Sequence, residues 1–374
     1  MFFLLLLYSV AAHTVYNDVH YPILLTNEKQ CNEFLPPGHN MEIDVDPGEV
    51  VKVKNDLGLF LGSFFIYDGT HNDTFINNAF MKSQHDCKDR VDNRCDINNC
   101  RTGKGWMMVM CPKTCHSCHL QKKEVRCNET QLGISNFTAM TTNFRSTTTN
   151  YILNNFQHLK PTLLQEESQI IHFDNLLEHH HLIELTEYAK NVQLHRSTGQ
   201  GSVDGSGVQS MDLISGRTST NAWCSYNCEQ LNSMKNLRRT ISEMLQVPER
   251  QFEAAQFLRY EEGQLYNQHS DVGFEDFMYL QGPRIFTMFV YLNDVAEGGE
   301  TEFPRLNVKV KPTAGSAILW SSVKEVDGIF SRDDLMDHRA NPPGKNQEKY
   351  AMNIWVHSKD FYTPNTWGCS GAFG

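Results

Sequence analysis

The stretch Tyr266-Asn-Gln-His269-Ser-Asp271 sets an imidazole and a carboxylate two residues apart. On an extended strand that spacing turns both side chains to one face. A third ligand can come from a later histidine on a facing strand, and His338 stands well downstream in Asp337-His338-Arg339. Two histidines and one carboxylate, with other coordination positions open, suit a non-haem Fe(II) ion that must still bind substrate and oxygen. Zinc accepts the same donors, and a surface histidine beside a carboxylate is the ordinary reason for such a pair.

An ordered series of motifs surrounds these residues. Arg217-Thr-Ser219 and Phe257-Leu-Arg-Tyr260-Glu-Glu-Gly-Gln-Leu-Tyr266 precede the pair. Arg284-Ile-Phe-Thr-Met-Phe-Val-Tyr-Leu-Asn-Asp-Val295, Gly298-Gly-Glu-Thr301-Glu-Phe-Pro304 and Val310-Lys-Pro-Thr-Ala-Gly-Ser-Ala-Ile-Leu-Trp320 follow it, and Lys349-Tyr-Ala-Met-Asn-Ile-Trp355 comes after His338. Over about 170–358 the series resembles the catalytic domain of the collagen/plant-type prolyl 4-hydroxylases, in the Fe(II)/2-oxoglutarate dioxygenase superfamily.

The resemblance implies a mainly β catalytic domain with flanking helices, a double-stranded β-helix (jelly-roll). It implies His269, Asp271 and His338 as the catalytic iron ligands. Lys349 would pair with the distal carboxylate of 2-oxoglutarate, and Tyr260 and Thr301 would help to hold that carboxylate. A carboxylate taken into a closed barrel requires such charge-assisted partners. Tyr266, Arg284 and Trp355 would line a peptide groove; Lys349 and Trp355, six apart on a strand, share a face. The implied reaction converts peptidyl proline in a proline-rich or collagen-like substrate to 4-hydroxyproline. It consumes 2-oxoglutarate and O2 and releases succinate and CO2, with ascorbate restoring oxidised iron.

Lysine rather than arginine at 349 points to the collagen/plant-type branch. Two departures bear on substrate preference: His338 to Lys349 is one residue longer than the common spacing, and Asn341-Pro-Pro replaces the Cys-Pro-Val that often follows the distal histidine. Two rival readings are a 2-oxoglutarate dioxygenase acting on another target, and a secreted binding protein with an inactive oxygenase fold. The intact His269, Asp271, His338 and Lys349 argue against the second.

The elements that must position these residues are short strands with Gly/Pro punctuation, expected at 252–260, 284–292, 306–311, 315–320 and 349–357. Two helices accompany them, one from Phe173 to Tyr188 with Leu176, Leu177, Leu182, Ile183 and Leu185 as its apolar positions, and one over 232–247 ending before Pro248. His179-His180-His181 lies in the first helix; three adjacent residues point in different directions, which reads as a solvated face.

With 374 residues, 40% of them hydrophobic and 21% charged, the chain can build two to three packed domains. Its net charge of -11 and lack of a basic stripe argue against a nucleic-acid partner. No later stretch approaches the ~20 apolar residues of a membrane span. Residues 1–13, apolar and then small, read as a signal peptide, with a buried N-terminal strand as the competing reading, and Asn72, Asn128 and Asn136 head glycosylation sequons. Both point to the secretory pathway and the endoplasmic reticulum lumen. Residues 14–80 read as a β-rich module of unknown role, 120–165 as a Thr/Asn-rich linker, 167–360 as the catalytic domain and 361–374 as a C-terminal tail. Oligomeric state is not legible.

Six of the 11 cysteines crowd into residues 87–118. So short a segment cannot bury a self-sufficient core, so disulfides must hold it, unless Cys111, Cys115 and Cys118 bind zinc. With Asp89 and the closing Cys111-Pro-Lys-Thr-Cys115-His-Ser-Cys118, the segment resembles the ShKT (sea anemone toxin-like) domain. That resemblance implies the pairs Cys87–Cys118, Cys95–Cys111 and Cys100–Cys115. Gly105 between Lys104 and Trp106 departs from the adjacent Lys-aromatic pair of the channel-blocking members, so an accessory or spacer module is expected. Cys224 and Cys228 are close enough to pair, Cys31 and Cys127 could close the N-terminal region, and Cys369 is expected to be free or intermolecular.

Overall fold

A computed structural model describes residues 13–19, 23–27, 32–43, 49–55, 60–65, 73–76, 78–85, 87–91, 95–100, 104–128, 132, 143–203, 209–224, 226–326 and 329–370. The signal segment (apart from His13), Cys31, Asn72 and Asn136 lie outside them; Asn128 is exposed. The chain divides into two compact units, one of 1–134, 202–209 and 363–374, the other of 135–201 and 210–362.

The first unit opens with seven strands: β1 (His13–Asn17), β2 (Ile23–Thr26), β3 (Asn32–Leu35), β4 (Asn40–Ile43), β5 (Val50–Asn55), β6 (Phe60–Phe65) and β7 (Asp73–Ile76). They form two sheets, in the orders β4-β1-β7 and β3-β2-β5-β6. Val15, Ile23, Leu25, Val53, Phe64 and Ile76, each 2% exposed or less, fill the space between them. The alternating burial along β1 and β5 is the period-2 pattern of a half-buried sheet. Helix α1 (Asn78–His85) places Phe80 against the same core.

The cysteine-rich segment follows, with disulfides Cys87–Cys118, Cys95–Cys111 and Cys100–Cys115. These are the pairs the resemblance implies, and they remove the thiols a zinc site would use. Asp89 ties the module shut: one carboxylate oxygen accepts from Lys113 N (2.9 Å) and Thr114 N (3.0 Å), the other from Thr114 Oγ1 (2.7 Å). The segment is packed on the β-rich module through His119, whose ring lies 5.4 Å from Phe80 and 6.3 Å from Phe64.

Cys369 departs from expectation. It is bonded to Cys127, across 242 residues. The fully buried Arg126 explains how the two are brought together. Its guanidinium donates to the carbonyls of Leu120, Gln121, Trp367 and Gly368, which fixes the C-terminal segment beside Cys127. The end of the chain, expected as a tail, is therefore part of the first unit.

The second unit is built on two antiparallel sheets. The strands from Pro161 onward are β8 (Pro161–Gln165), β9 (Ile170–Phe173), β10 (His195–Arg196), β11 (Gly199–Val203), β12 (Gln209–Asp212), β13 (Thr220–Trp223), β14 (Gln256–Tyr260), β15 (Tyr266–His269), β16 (Arg284–Tyr291), β17 (Thr301–Phe303), β18 (Val308–Val310), β19 (Ala317–Ser321), β20 (Val323–Val326), β21 (Ile329–Arg332), β22 (His338–Ala340) and β23 (Lys349–His357). Apart from the two-stranded pairs β11-β12 and β20-β21, the larger sheet has the order β10-β13-β14-β23-β16-β19-β9-β8 and the smaller the order β15-β22-β17-β18. The two face each other as a jelly-roll, the expected fold.

Strand β16 shows how the sequence builds both faces. Phe286, Met288 and Val290 enter a core shared with the helices, while Phe289 and Tyr291 enter a second core inside the barrel with Tyr260, Phe303 and Trp320. A strand buried on both faces reads as a continuous apolar run.

Three helices cover the outer face. The 120–165 stretch, read as a linker, contains one of them, over Phe144–Asn155, and ends in β8. Its Thr/Asn composition conceals Phe144 and Ile152, both buried in the core. The second helix spans His179–Asn191 rather than starting at Phe173. Phe173 closes β9, and Leu176 and Leu177 reach the core from a turn held by Gly315 O. The third spans Asn232–Leu245, burying Met234, Leu237, Ile241 and Met244 at helical spacing and ending at a left-handed Gln246 before Pro248. His179 and His180 are exposed as expected; His181 is held by Ser233 Oγ and Asn236 Nδ2, each 3.0 Å away.

Candidate active site

Strands β15 and β22 pair so that His269 lies directly opposite His338. Asp271, just past the end of β15, completes the group. His269 Nε2 is 4.0 Å from one Asp271 oxygen, His338 Nε2 is 3.8 Å from the other, and the three ligand atoms lie within 4.8 Å of one another.

Each ligand is oriented by a partner of its own. His269 Nδ1 is 2.8 Å from Asn267 O and His338 Nδ1 is 3.0 Å from Met336 O, so both Nδ1 atoms carry the proton and both Nε2 lone pairs face the centre. Thr287 Oγ1 donates to Asp271 Oδ2 at 2.7 Å. Tyr266 stacks on His269 with ring centroids 3.5 Å apart. Burial, reinforced by His338, pushes His269 down to about 3, so it is a neutral donor at physiological pH. Burial alone would raise Asp271, but His338, His269 and Arg284 hold its carboxyl below the usual range. Two imidazole nitrogens and one carboxylate make a donor set that a divalent ion accepts.

Deeper in the barrel, Lys349 is 0% exposed and its Nζ has no hydrogen-bond partner among the described residues. Three rings surround it, Phe289 at 5.0 Å, Tyr260 at 5.3 Å and Tyr291 at 5.4 Å. Burial pushes its ammonium down to about 7, against the pull of Glu300. A buried cation without an anion is costly, and a carboxylate ligand supplies the missing partner. The residues present therefore fit both a divalent metal and an acidic co-substrate. Tyr260 is the register partner of Lys349, and Thr301 is buried on β17 where its Oγ1 accepts from Tyr291 Oη at 2.8 Å. Gly298 and Gly299 adopt positive φ, and a Cβ on Gly298 would stand 2.3 Å from Pro342 O. The glycine is thus required by the close approach of the loop after His338. In that loop Asn341 Nδ2 donates to Glu302 Oε2 at 2.9 Å.

The groove residues are placed less uniformly. Trp355 lies beside Thr287 in the β16–β23 register and is 6% exposed. Arg284 sits 4.0 Å over the Trp355 ring, but its guanidinium is committed to Glu253, with Nη2 3.0 Å from Oε2. His357 Nε2 approaches the same carboxylate at 2.7 Å. Burial opposes the charge on Glu253, yet Arg284 and His357 bring it down to about 2.

Sequence reasoning passed over Thr287, Tyr291, Glu253 and His357. Thr287 and Tyr291 were accessible, since alternation along β16 puts them on the face of Phe289. The Glu253–His357 contact joins residues 104 apart and leaves no local trace.

A family model described as 2OG-Fe(II) oxygenase superfamily matches residues 255–357. Prolyl 4-hydroxylase 1 of Arabidopsis thaliana is 30% identical over 220 residues, covering 54% of this chain and 73% of that protein. The chain belongs to the prolyl 4-hydroxylase family. Among other members, probable prolyl 4-hydroxylase 9 of A. thaliana is 33% identical over 163 residues, 38% of this chain and 54% of that protein. The mouse prolyl 4-hydroxylase subunit alpha-1 is 27% identical over 208 residues, 54% of this chain and 37% of that one. The chain thus spans about half the length of most curated relatives it matches. A viral collagen prolyl hydroxylase from Paramecium bursaria Chlorella virus-1, solved as its 2OG complex, is 22% identical, covering 50% of this chain and 94% of its own, with a TM-score of 0.38. The family's Fe(II) and 2-oxoglutarate are the metal and acidic co-substrate that the donor set and the buried lysine fit.

Proposed function

We propose that the chain is a prolyl 4-hydroxylase, converting peptidyl proline in a proline-rich or collagen-like substrate to 4-hydroxyproline. The observation that carries this reading is the pairing, in one barrel, of a two-histidine, one-carboxylate centre with a buried Lys349 whose Nζ has no hydrogen-bond partner among the described residues.

His269, Asp271 and His338 hold the iron, each orienting its donor atom through the contacts described above. Lys349 clamps the distal carboxylate of 2-oxoglutarate, with Tyr260 and Thr301 as hydroxyl partners and Tyr291 fixing Thr301. Bound iron, 2-oxoglutarate and O2 supply the oxidising equivalents for hydroxylating a C–H bond, with succinate and CO2 released. The apolar walls formed by Phe289, Phe303 and Trp320 exclude water from this space. Tyr266, Arg284 and Trp355 border the peptide groove; Arg284, neutralised by Glu253, acts by supporting Trp355. A proline-rich chain arrives already in the left-handed extended helix, so an aromatic groove holds it at low entropic cost.

The cysteine-rich module is read as an ShKT-like accessory domain. Five disulfides among the described residues support an oxidising compartment, and with the sequons and apolar start a place in the secretory pathway. The test is succinate release with Fe(II), 2-oxoglutarate and proline-rich peptides such as (Pro-Pro-Gly)n. Release that rises with peptide and vanishes in His269→Ala supports the reading. Release indifferent to proline-rich peptide transfers the chemistry to another target.

A further inference from the structure

A path of contacts runs outward from the metal centre to the surface. Asp271 accepts from Thr287, Thr287 lies beside Trp355 across one strand spacing, and Trp355 meets Trp223 with ring centroids 6.0 Å apart, tilted by 48°. Exposure rises along it, from 0% at Thr287 and 6% at Trp355 to 44% at Trp223. Trp223 belongs to none of the motifs that define the site. Its position is nevertheless built. It ends β13 in register with Gln256, and the next residue, Cys224, is locked by a disulfide to Cys228 and by its amide to Ala255 O at 2.7 Å. Both cysteines are buried in the core, at 4% and 0% exposure.

At 44% exposure the Trp223 ring offers an apolar face that a bound chain can cover. Beside it, Trp355 Nε1 is a buried donor with no partner among the described residues. Apolar ring faces next to an unused N–H match one chemistry well: proline rings to lie on the tryptophans and a backbone carbonyl to accept the hydrogen bond. Trp223 stands one ring contact of 6.0 Å beyond Trp355, and in a polyproline helix residues three apart share a face.

We propose that Trp223 determines peptide specificity, forming with Trp355 an aromatic shelf that takes a proline ring one helical turn away from the residue to be hydroxylated. The inference rests on the prolyl reading above and extends it to a residue outside the motifs. Trp223 acts on binding of the flanking sequence and leaves the metal and co-substrate sites untouched.

The test measures peptide binding by calorimetry, with Zn(II) in place of iron so that no turnover intervenes. The peptides are (Pro-Pro-Gly)n and variants with alanine replacing a single proline at each position near the target. Trp223→Ala should weaken binding of the proline-rich peptide about three- to tenfold, the range of one aromatic contact. The variant should also become insensitive to the alanine three residues from the target, and Trp223→Phe should restore most of both effects. Affinity for 2-oxoglutarate should not change in either variant. Unchanged peptide affinity and unchanged flank preference in Trp223→Ala, with wild type binding the peptide, overturns the shelf and leaves the prolyl reading standing. Wild type that binds no proline-rich peptide overturns both.

Discussion

Raising the pH should weaken 2-oxoglutarate binding, because the anchoring ammonium is buried among aromatic rings with no hydrogen-bond partner among the described residues. Burial brings Lys349 down to about 7 in the ligand-free chain. Only the protonated fraction can clamp a carboxylate, and apparent affinity scales with that fraction. The fraction is about one half at pH 7 and about one tenth at pH 8, so the dissociation constant should rise about fivefold over that interval and about tenfold per unit above it. The ligand-free fold behaves in the opposite sense. The folded lysine binds its proton less tightly than the unfolded one, so stability should increase as pH rises from about 7 towards 10.5. Calorimetric titration of 2-oxoglutarate into the Zn(II)-loaded protein measures the first effect and also the proton taken up on binding. Lys349→Arg keeps its charge throughout and should bind with no proton uptake and a flat pH profile. A flat profile in the wild-type protein, without proton uptake, would refute the caged-lysine reasoning whatever the variant does.

Three further outcomes follow from the same geometry. Glu253→Gln should destabilise the second unit by about 3–5 kcal/mol in denaturant titration, because Arg284 and His357 lose their shared buried partner. Since the Glu253 carboxyl is held at about 2, its contribution is complete above about pH 4.5 and should be lost as pH falls towards about 2, a step the Gln variant lacks. Thr287→Val should leave the fold intact but weaken metal binding about 10–100-fold in a metal titration, because Asp271 loses the donor that orients it. Cys369→Ser should lower the unfolding midpoint of the first unit, by an amount near the top of the ~0–5 kcal/mol range for disulfides given the 242-residue separation. Non-reducing peptide mapping should find Cys127 and Cys369 on one linked peptide in the wild type.

The catalytic unit was legible where function and local pattern coincide. His269 and Asp271 announce themselves through strand spacing, and β16 and β23 through continuous apolar runs that include the very residues facing the lumen. Where the determining contact is distant in sequence the reading stopped. Nothing local links Cys127 to Cys369, because buried Arg126, reaching the carbonyls of Trp367 and Gly368, does the joining. The helix over Phe144–Asn155 was hidden by its composition, since two buried aromatic and aliphatic positions carry it among Thr and Asn. The start of the helix at His179 was misplaced for a related reason: Leu176 and Leu177 are buried as its apolar pattern requires, but from a turn. Glu253 with Arg284 shows the third kind of gap, where a residue assigned to the groove by its motif has its charge already spent on a partner no motif contains.

The central claim is that this barrel places oxygen on C4 of a peptidyl proline. It is tested most directly by mass spectrometry of a (Pro-Pro-Gly)n peptide incubated with the full chain, Fe(II), 2-oxoglutarate, ascorbate and isotopically labelled O2. The account predicts one labelled oxygen atom on C4 of proline, formed in step with succinate and absent from His338→Ala. Succinate formed by the wild-type protein without label on any proline would contradict it.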